Sequence, residues 1–406
     1  MKNTNEIVNT VKKDLQDELE YFGDTDDEKL EEMIAHKLSE VGKTMYIPLN
    51  ERISIGKQIL ASMRKLDILQ ELIDDPSITE IMINGADSIY VEKNGYLYKT
   101  DKRFESKQRL MDIIQQVVGS CNRVVNDSSP IVDARIKGSR VNVVLDGVAI
   151  NGPIMTIRRF PDKPYTMKQL IEIGSISEEA ADFLSKLVKS RYNIIVAGGT
   201  GSGKTTFLNS LSAYIPEDER IITIEDSAEL QIQGVDNLVR LETKNANVEG
   251  CNPITIRDLI KTSLRMRPDR IIVGEVRGAE AMDLIFSALN CGHDGSMSTV
   301  HANSAADTIG RLESMILMAV DLPINAIKRQ ICSGVDIIIH LGRLRDKSRK
   351  VLEIIELERF AEDKIVTNTL YRFAEKKGGG RKVNGELVKV GNLKHEEKLK
   401  AAGIEL

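Results

Sequence analysis

Residues 193–211 read NIIVAGGTGSGKTTFLNSL. The apolar run 193–197 has the length and composition of a buried strand. Gly198, Gly199, Thr200, Gly201, Ser202, Gly203, Lys204 and Thr205 then satisfy G-x-x-x-x-G-K-[ST], and 206–211 suits a helix. Glycines let successive backbone N–H groups curl around phosphate oxygens without a clashing Cβ. The helix that follows adds the positive end of its dipole. Lys204 supplies a point charge for β/γ-phosphates, and Thr205 a hydroxyl for Mg²⁺. Strand, loop and helix in this order imply a nucleotide site at the carboxyl end of an α/β sheet.

Composition narrows the class. Apolar content of 41% with 29% charged residues is ordinary for a globular protein. A net charge of −5 argues against a generic nucleic-acid binder, which carries excess basic charge. The chain has no Trp and 4% aromatics, so base-stacking platforms are scarce. Cys121, Cys251, Cys291 and Cys332 lie too far apart for a zinc knuckle and fit a reducing compartment. The first residues lack the apolar core of a signal peptide, and no apolar run approaches the ~18 residues of a membrane span. The expectation is a cytoplasmic protein whose membrane role, if any, comes through a partner.

A chain of 406 residues suggests two or three domains. Residues 1–73 carry helical spacing, as with Leu30, Met33, Ile34 and Leu38, and read as a helical N-terminal segment. Residues 74–160 read as an α+β domain, with strands around 78–91, 141–145 and 154–157 and a helix over 110–118. Asn84-Gly85 and Asn94-Gly95 punctuate its first strands. Residues 161–175, with two prolines, read as a linker. Over 176–375, apolar runs at 194–197, 221–224 and 271–273 alternate with helical material, which implies an α/β domain with a parallel-dominated sheet. Gly378-Gly379-Gly380 marks a joint, and 376–406 reads as a flexible tail.

The strand at 221–224 runs into Glu225-Asp226, with Glu229 close behind, and the strand at 271–273 into Gly274-Glu275. Carboxyl ends of parallel strands line the ligand crevice, so both acidic ends point toward phosphates held by Lys204. A carboxylate there can orient Mg²⁺ through water or accept a proton from attacking water. Two of the five histidines, His293 and His301, fall in 292–303, and His301 suits a hydrogen bond to a γ-phosphate. Arg135, Arg140, Arg158 and Arg159 cluster in the α+β domain. Arg265, Arg267, Arg270 and Arg277 surround the Glu275 strand. A guanidinium fork suits phosphate, and arginines on a separate domain could clamp a nucleotide across a cleft.

The strings IITIEDSAEL (221–230), SLRMRPDRIIVGEVRGAEAMD (263–283) and GHDGSMSTVHANS (292–304) follow the phosphate loop in this order. They resemble the Asp box, Walker B region and His box of the type II/type IV secretion and pilus-assembly ATPases. DPSITEIMINGADSIYVEKNG (75–95), DARIKGSRVN (133–142) and GPIMTIRRF (152–160) resemble the CpaF-like branch that drives tight-adherence (Tad, Flp-type) pili. The resemblance spans roughly 65–375. It implies a RecA-like core that binds ATP and Mg²⁺ through Gly198 to Thr206, with Thr205 and Glu275 serving the metal, partly through water. It further implies that Glu225 activates water, that Glu275 is the Walker B carboxylate, and that His301 senses the γ-phosphate. Arg135, Arg140 and Arg158 would reach the phosphates as their domain closes.

The strand before Glu275 ends in Gly274, where many P-loop enzymes have a second carboxylate. The tetracysteine zinc module of many type II secretion ATPases is absent, which favours the CpaF-like branch. The resemblance implies a homohexamer docked on an inner-membrane platform protein, hence cytoplasmic and peripheral to that membrane. The work would be pilus assembly or protein secretion, and no nucleic acid is expected as partner. A RecA-like nucleic-acid translocase and a non-catalytic ATP-binding scaffold are the alternatives; the His box and acidic balance oppose the first, the acidic strand ends and His301 the second.

Overall fold

The computed structural model describes residues 7, 8, 10, 11, 14, 15, 27–44, 47–64, 66–121, 123–136, 138–160, 163–244, 252–376, 380 and 382–406. The chain divides into two compact units, Met1–Phe160 and Pro161–Leu406.

In the first unit, helices Asp27–Thr44 and Leu49–Arg64 close over Leu30, Ile34, Leu38, Ile55 and Ile59. A six-stranded antiparallel sheet follows. Its strands are β1 (Ile78–Asn84), β2 (Ile89–Lys93), β3 (Tyr96–Lys99), β4 (Ile131–Ile136), β5 (Ser139–Val144) and β6 (Ile154–Arg159), ordered β3-β2-β1-β6-β5-β4. Asn94-Gly95 forms the two-residue β2–β3 turn, both residues at positive φ, because that hand of turn matches strand twist. Alternation buries Ala134, Val141, Ile157 and Ile81 beneath helix Lys107–Gly119, which Ser106 caps by accepting from the Arg109 N–H at 3.1 Å.

The second unit is built on nine strands. These are β7 (Ile194–Gly198), β8 (Ile221–Glu225), β9 (Leu238–Glu242), β10 (Arg270–Val276), β11 (Met297–Val300), β12 (Ile337–Arg343), β13 (Arg349–Ala361), β14 (Lys364–Glu375) and β15 (Gly385–Lys389), ordered β15-β14-β13-β12-β7-β11-β10-β8-β9. The run from β12 to β9 is parallel, and β12 to β15 form an antiparallel meander. Strand β7 reads as continuously apolar because both its faces are buried: Ile194 and Val196 enter one core, Ile195 and Ala197 the other.

The helical material between β10 and β11 is one α turn, Glu280–Asp283, followed by a π-helix, Leu284–Leu289, whose wider turn carries Leu284, Ile285, Ala288 and Leu289 into one core. Two elements differ from the sequence expectation. The 161–175 linker contains helix Met167–Glu172, closed by a reciprocal Thr166–Gln169 capping box; residues 161 and 162 lie outside the described ones. The tail expected to be flexible holds β15 and helix Glu397–Ala402. Glu356, buried on β13, takes the backbone N–H groups of Lys394 and His395, and Lys398 bonds Asp336 at 2.7 Å and Asp294 at 2.8 Å. A buried carboxylate must be satisfied, and the tail satisfies it. Gly378 and Gly379 of the expected joint, and Cys251, lie outside the described residues; Cys121, Cys291 and Cys332 are free thiols.

Arg270, fully buried at the start of β10, makes a two-point ion pair with Glu219 and donates to the Val188 carbonyl at 2.7 Å. Gly295 leaves the space its guanidinium fills. Arg270→Met leaves the buried Glu219 with only the half-exposed Arg191 at 3.3 Å and should cost about 3 kcal/mol in denaturant unfolding, with much of the loss recovered by adding Glu219→Leu.

Candidate functional site

The phosphate loop leaves the carboxyl end of β7, the strand with β11 and β12 on either side. Gly203 precedes helix Lys204–Ser212 at φ +94°, a conformation that strains any residue with a Cβ. The turn bends Lys204 back over the loop. Its Nζ donates to the carbonyls of Gly198 at 3.1 Å and Gly199 at 3.2 Å and lies 3.4 Å from both ring nitrogens of His301. Thr205 and Thr206 stand half-buried in the first helical turn. The Ser202 hydroxyl is buried without a hydrogen-bond partner.

His301 follows β11 directly and reaches Glu275 near the end of β10, with Nε2 2.6 Å from Oε1. Oε1 nevertheless receives no hydrogen bond. The other oxygen, Oε2, accepts from Arg277 Nε at 2.8 Å and a terminal guanidinium nitrogen at 2.5 Å. Burial, together with the charges of Lys204, Arg277 and Arg311, holds the His301 imidazole below its ordinary pKa despite Glu275. A neutral imidazole beside a cationic lysine costs no charge repulsion and keeps one nitrogen as donor.

Glu225 ends β8, next to β10. Its Oε1 accepts from the backbone N–H of Glu229 at 2.8 Å and Leu230 at 2.7 Å, while Oε2 is buried and unpartnered. Burial outweighs these bonds and pushes its carboxyl up to about 7. A group so poised can exchange protons near neutrality. The structure also explains why the strand reads Gly-Glu. A Cβ on Gly274 would stand 2.9 Å from Cγ of Glu225, so the Glu225 side chain fills the space a residue there would need. Thr299 of β11 holds the Gly274 carbonyl at 2.8 Å.

The other sequence candidates separate. His293 lies in the turn before β11, at the opposite end of that strand from His301. Arg270 opens β10 and is consumed by Glu219. Within the first unit, Arg135, Arg140, Arg158 and Glu80 stand opposite one another across β4, β5, β6 and β1, one lateral row on one sheet face. The Arg135 guanidinium lies 5.3 Å from the Phe160 ring centre, and Arg140 pairs with Asp133 at 3.4 Å. Burial raises the Glu80 pKa against the pull of Arg158. Arg159 alternates away and bonds the Asp75 carbonyl at 3.0 Å. Arg277, one of the arginines expected to suit phosphate, holds Glu275 instead, and Gly274 makes room for Glu225; the Glu-x-Arg spacing of 275–277 was a readable signal.

The comparisons with known proteins identify the family to which the chain belongs. The model of the family described as type II/IV secretion system protein matches residues 62–390, and the chain belongs to that family. The type IV secretion system protein VirB11 of Bartonella quintana is 30% identical over 333 residues, covering 72% of this chain and 92% of that protein. The conjugal transfer protein TrbB of Rhizobium radiobacter is 32% identical over 297 residues, covering 72% and 87%. Among solved structures, the pilus retraction motor PilT with bound ADP superposes with a TM-score of 0.52 at 21% identity, covering 80% of this chain and 83% of that one. The ATPase DotB of Legionella pneumophila reaches 0.50 at 20% identity, covering 73% and 80%. At these identities the superpositions speak for the fold. Among the described residues, no helix is long and apolar enough to cross a membrane.

Two outcomes follow from the Glu225 environment. Folding favours its protonated form, so its contribution to stability is full below the ordinary value of 4.5 and is lost as pH rises through about 7. Glu225→Gln should therefore flatten the fall in unfolding free energy across that window, as measured by denaturant titration at several pH values. Gly274→Ala should displace Glu225 and shift that pH-dependent window; an unchanged window would show that the contact is dispensable.

Proposed function

We propose that this chain is an ATP-hydrolysing motor with a RecA-like core that works as a ring of six and drives pilus assembly or protein secretion. The tight-adherence branch is the favoured assignment within its family, supported by the 75–95, 133–142 and 152–160 strings. The observation that carries the reading is the convergence of Lys204, His301 and Glu275, with Glu225 ending the strand beside β10. A loop built for phosphate thus meets a neutral donor and two carboxylates in different surroundings.

The residues present fit Mg²⁺. The Thr205 hydroxyl and Oε1 of Glu275, which lacks a hydrogen bond, are hard oxygen donors of the kind that ion takes. When bound, the ion neutralises charge on the β- and γ-phosphates. In this reading Lys204 moves from the Gly198 and Gly199 carbonyls to the phosphates, and His301 donates to the γ-phosphate. Glu225, deprotonated, accepts the proton of attacking water. Arg135, Arg140 and Arg158, one row on one sheet face, are the proposed further phosphate contacts. A platform-protein partner in the inner membrane would stimulate the motor, which would sit at the cytoplasmic face.

Lys204→Ala should abolish ATP turnover. Glu275→Gln should retain ATP while losing about 100-fold or more in turnover, because the neutral isostere keeps the packing without the charge. In the intact enzyme turnover should climb with pH through about 7 as Glu225 ionises. The direct test is ATPase rate and oligomeric mass, with and without the cytosolic loops of the platform protein. A slow ring stimulated by those loops is expected; a monomer with full, partner-independent activity would contradict the motor reading.

A further inference from the structure

The hairpin that follows β12 reaches the phosphate loop, and the motor reading gives it no role. Strand β12 runs parallel beside β7, with Leu341 opposite Gly198, so its last residues pass alongside the loop. The chain turns at 344–348 and returns into β13 with Arg349 opposite Arg343. Arg349 Nε donates to the Gly201 carbonyl at 2.8 Å. Its Cδ lies 3.4 Å from where a Cβ on Gly203 would stand, and a terminal nitrogen of Arg343 lies 3.7 Å from the same point on Gly201.

The backbone that presents Arg349 is fixed independently of this contact. The Arg349 carbonyl accepts from the Ser175 hydroxyl at 2.7 Å, and the Val351 N–H donates to the Ser175 carbonyl at 2.8 Å. Across the turn, Asp346 accepts from the Val383 N–H at 2.9 Å, and Arg345 pairs with Glu375. The side chain therefore extends from a rigid base onto a loop with glycine at 198, 199, 201 and 203.

We propose that Arg349 is a positioning residue for nucleotide binding, setting the orientation of the Gly201–Ser202 peptide. The Gly201 carbonyl and the Ser202 N–H belong to one rigid plane and point in opposite directions. Holding the carbonyl outward aims the N–H inward, the direction a phosphate cradle needs. In this structure that N–H donates to the Gly199 carbonyl at 3.3 Å, inside the loop. Gly201 on one side of this peptide, with Gly203 one residue beyond Ser202, makes its rotation cheap, so the loop alone would sample many orientations. Arg349 removes that freedom before the nucleotide arrives, and pre-organisation of this kind appears as affinity. The effect falls on binding, because Arg349 acts through the loop and not on the reacting atoms.

The inference rests on the nucleotide-site reading, and its test separates the two. Binding of a fluorescent ADP derivative with Mg²⁺ is measured for the full chain and for Arg349→Met, Arg349→Gln and Arg345→Met. ATP turnover and melting temperature are measured alongside. Met matches the length of the arginine stem without a donor, whereas Gln places an N–H at the position of Nε. Arg349→Met should weaken binding and raise KM roughly tenfold, with kcat changed less than about twofold and an unchanged melting temperature. Arg349→Gln should recover most of the affinity. Arg345→Met, on the same hairpin but paired with Glu375, should bind like the parent. The proposal is overturned if Arg349→Met binds normally, if Gln and Met lose affinity equally, or if Arg345→Met loses as much. Should Arg349→Met not fold, normal affinity in Arg349→Gln together with a loss in Arg349→Ala supports the proposal, and equal affinities in those two sink it. Absence of binding by the parent chain overturns the nucleotide-site reading itself, and the Arg349 role with it.

Discussion

Lys204 is a cation at 7% exposure, and burying a cation is costly unless acceptors surround it. The carbonyls of Gly198 and Gly199 supply part of that coordination, and His301 closes another side as a neutral ring. This requirement ties three strands together. Strand β7 must deliver a loop whose carbonyls turn toward its own lysine. Strand β11 must bring His301 within reach, and β10 must place Glu275 against His301. In the proposed function the same geometry would serve phosphate, replacing weak carbonyl partners with strong anionic ones.

The two carboxylates differ because their surroundings differ. Glu275 is partly exposed and has a guanidinium on one oxygen. Glu225 is buried with one oxygen orphaned, and two backbone amides and the charge of Arg240 oppose its desolvation without offsetting it. Adjacent acids held in unlike environments are a common way to divide metal-orienting and proton-accepting work. The missing side chain at Gly274 permits the arrangement, since any Cβ there would occupy the place of Glu225.

Much of this was legible in the residues. The phosphate loop announces itself by spacing, and the apolar runs at 194–197, 221–224 and 271–273 mark strands buried on both faces. The convergence of His301 on Glu275 was not legible, because it follows from the order β7-β11-β10-β8, which periodicity does not encode. The arginine row had the same limit: Arg135, Arg140 and Arg158 are close in sequence or not, but only antiparallel register aligns them. The C-terminal stretch misled because charged, glycine-flanked sequence resembles a loose tail. Its order comes from Glu356, Asp336 and Asp294, acids far away in the chain that need its amides and Lys398. Long-range satisfaction of buried polar groups leaves no local pattern to read.

In the proposed motor, Lys204, His301, Glu275 and Glu225 act as one phosphate-hydrolysing centre. A structure of the full chain with Mg²⁺ and ADP carrying a beryllium fluoride mimic of the γ-phosphate is the decisive measurement. Lys204 Nζ should be withdrawn from the Gly198 and Gly199 carbonyls and bonded to the mimic, with His301 within hydrogen-bond distance of it and a water between it and Glu225. Nucleotide bound elsewhere, or Lys204 still on its own loop with the mimic present, would show that these residues form no such centre.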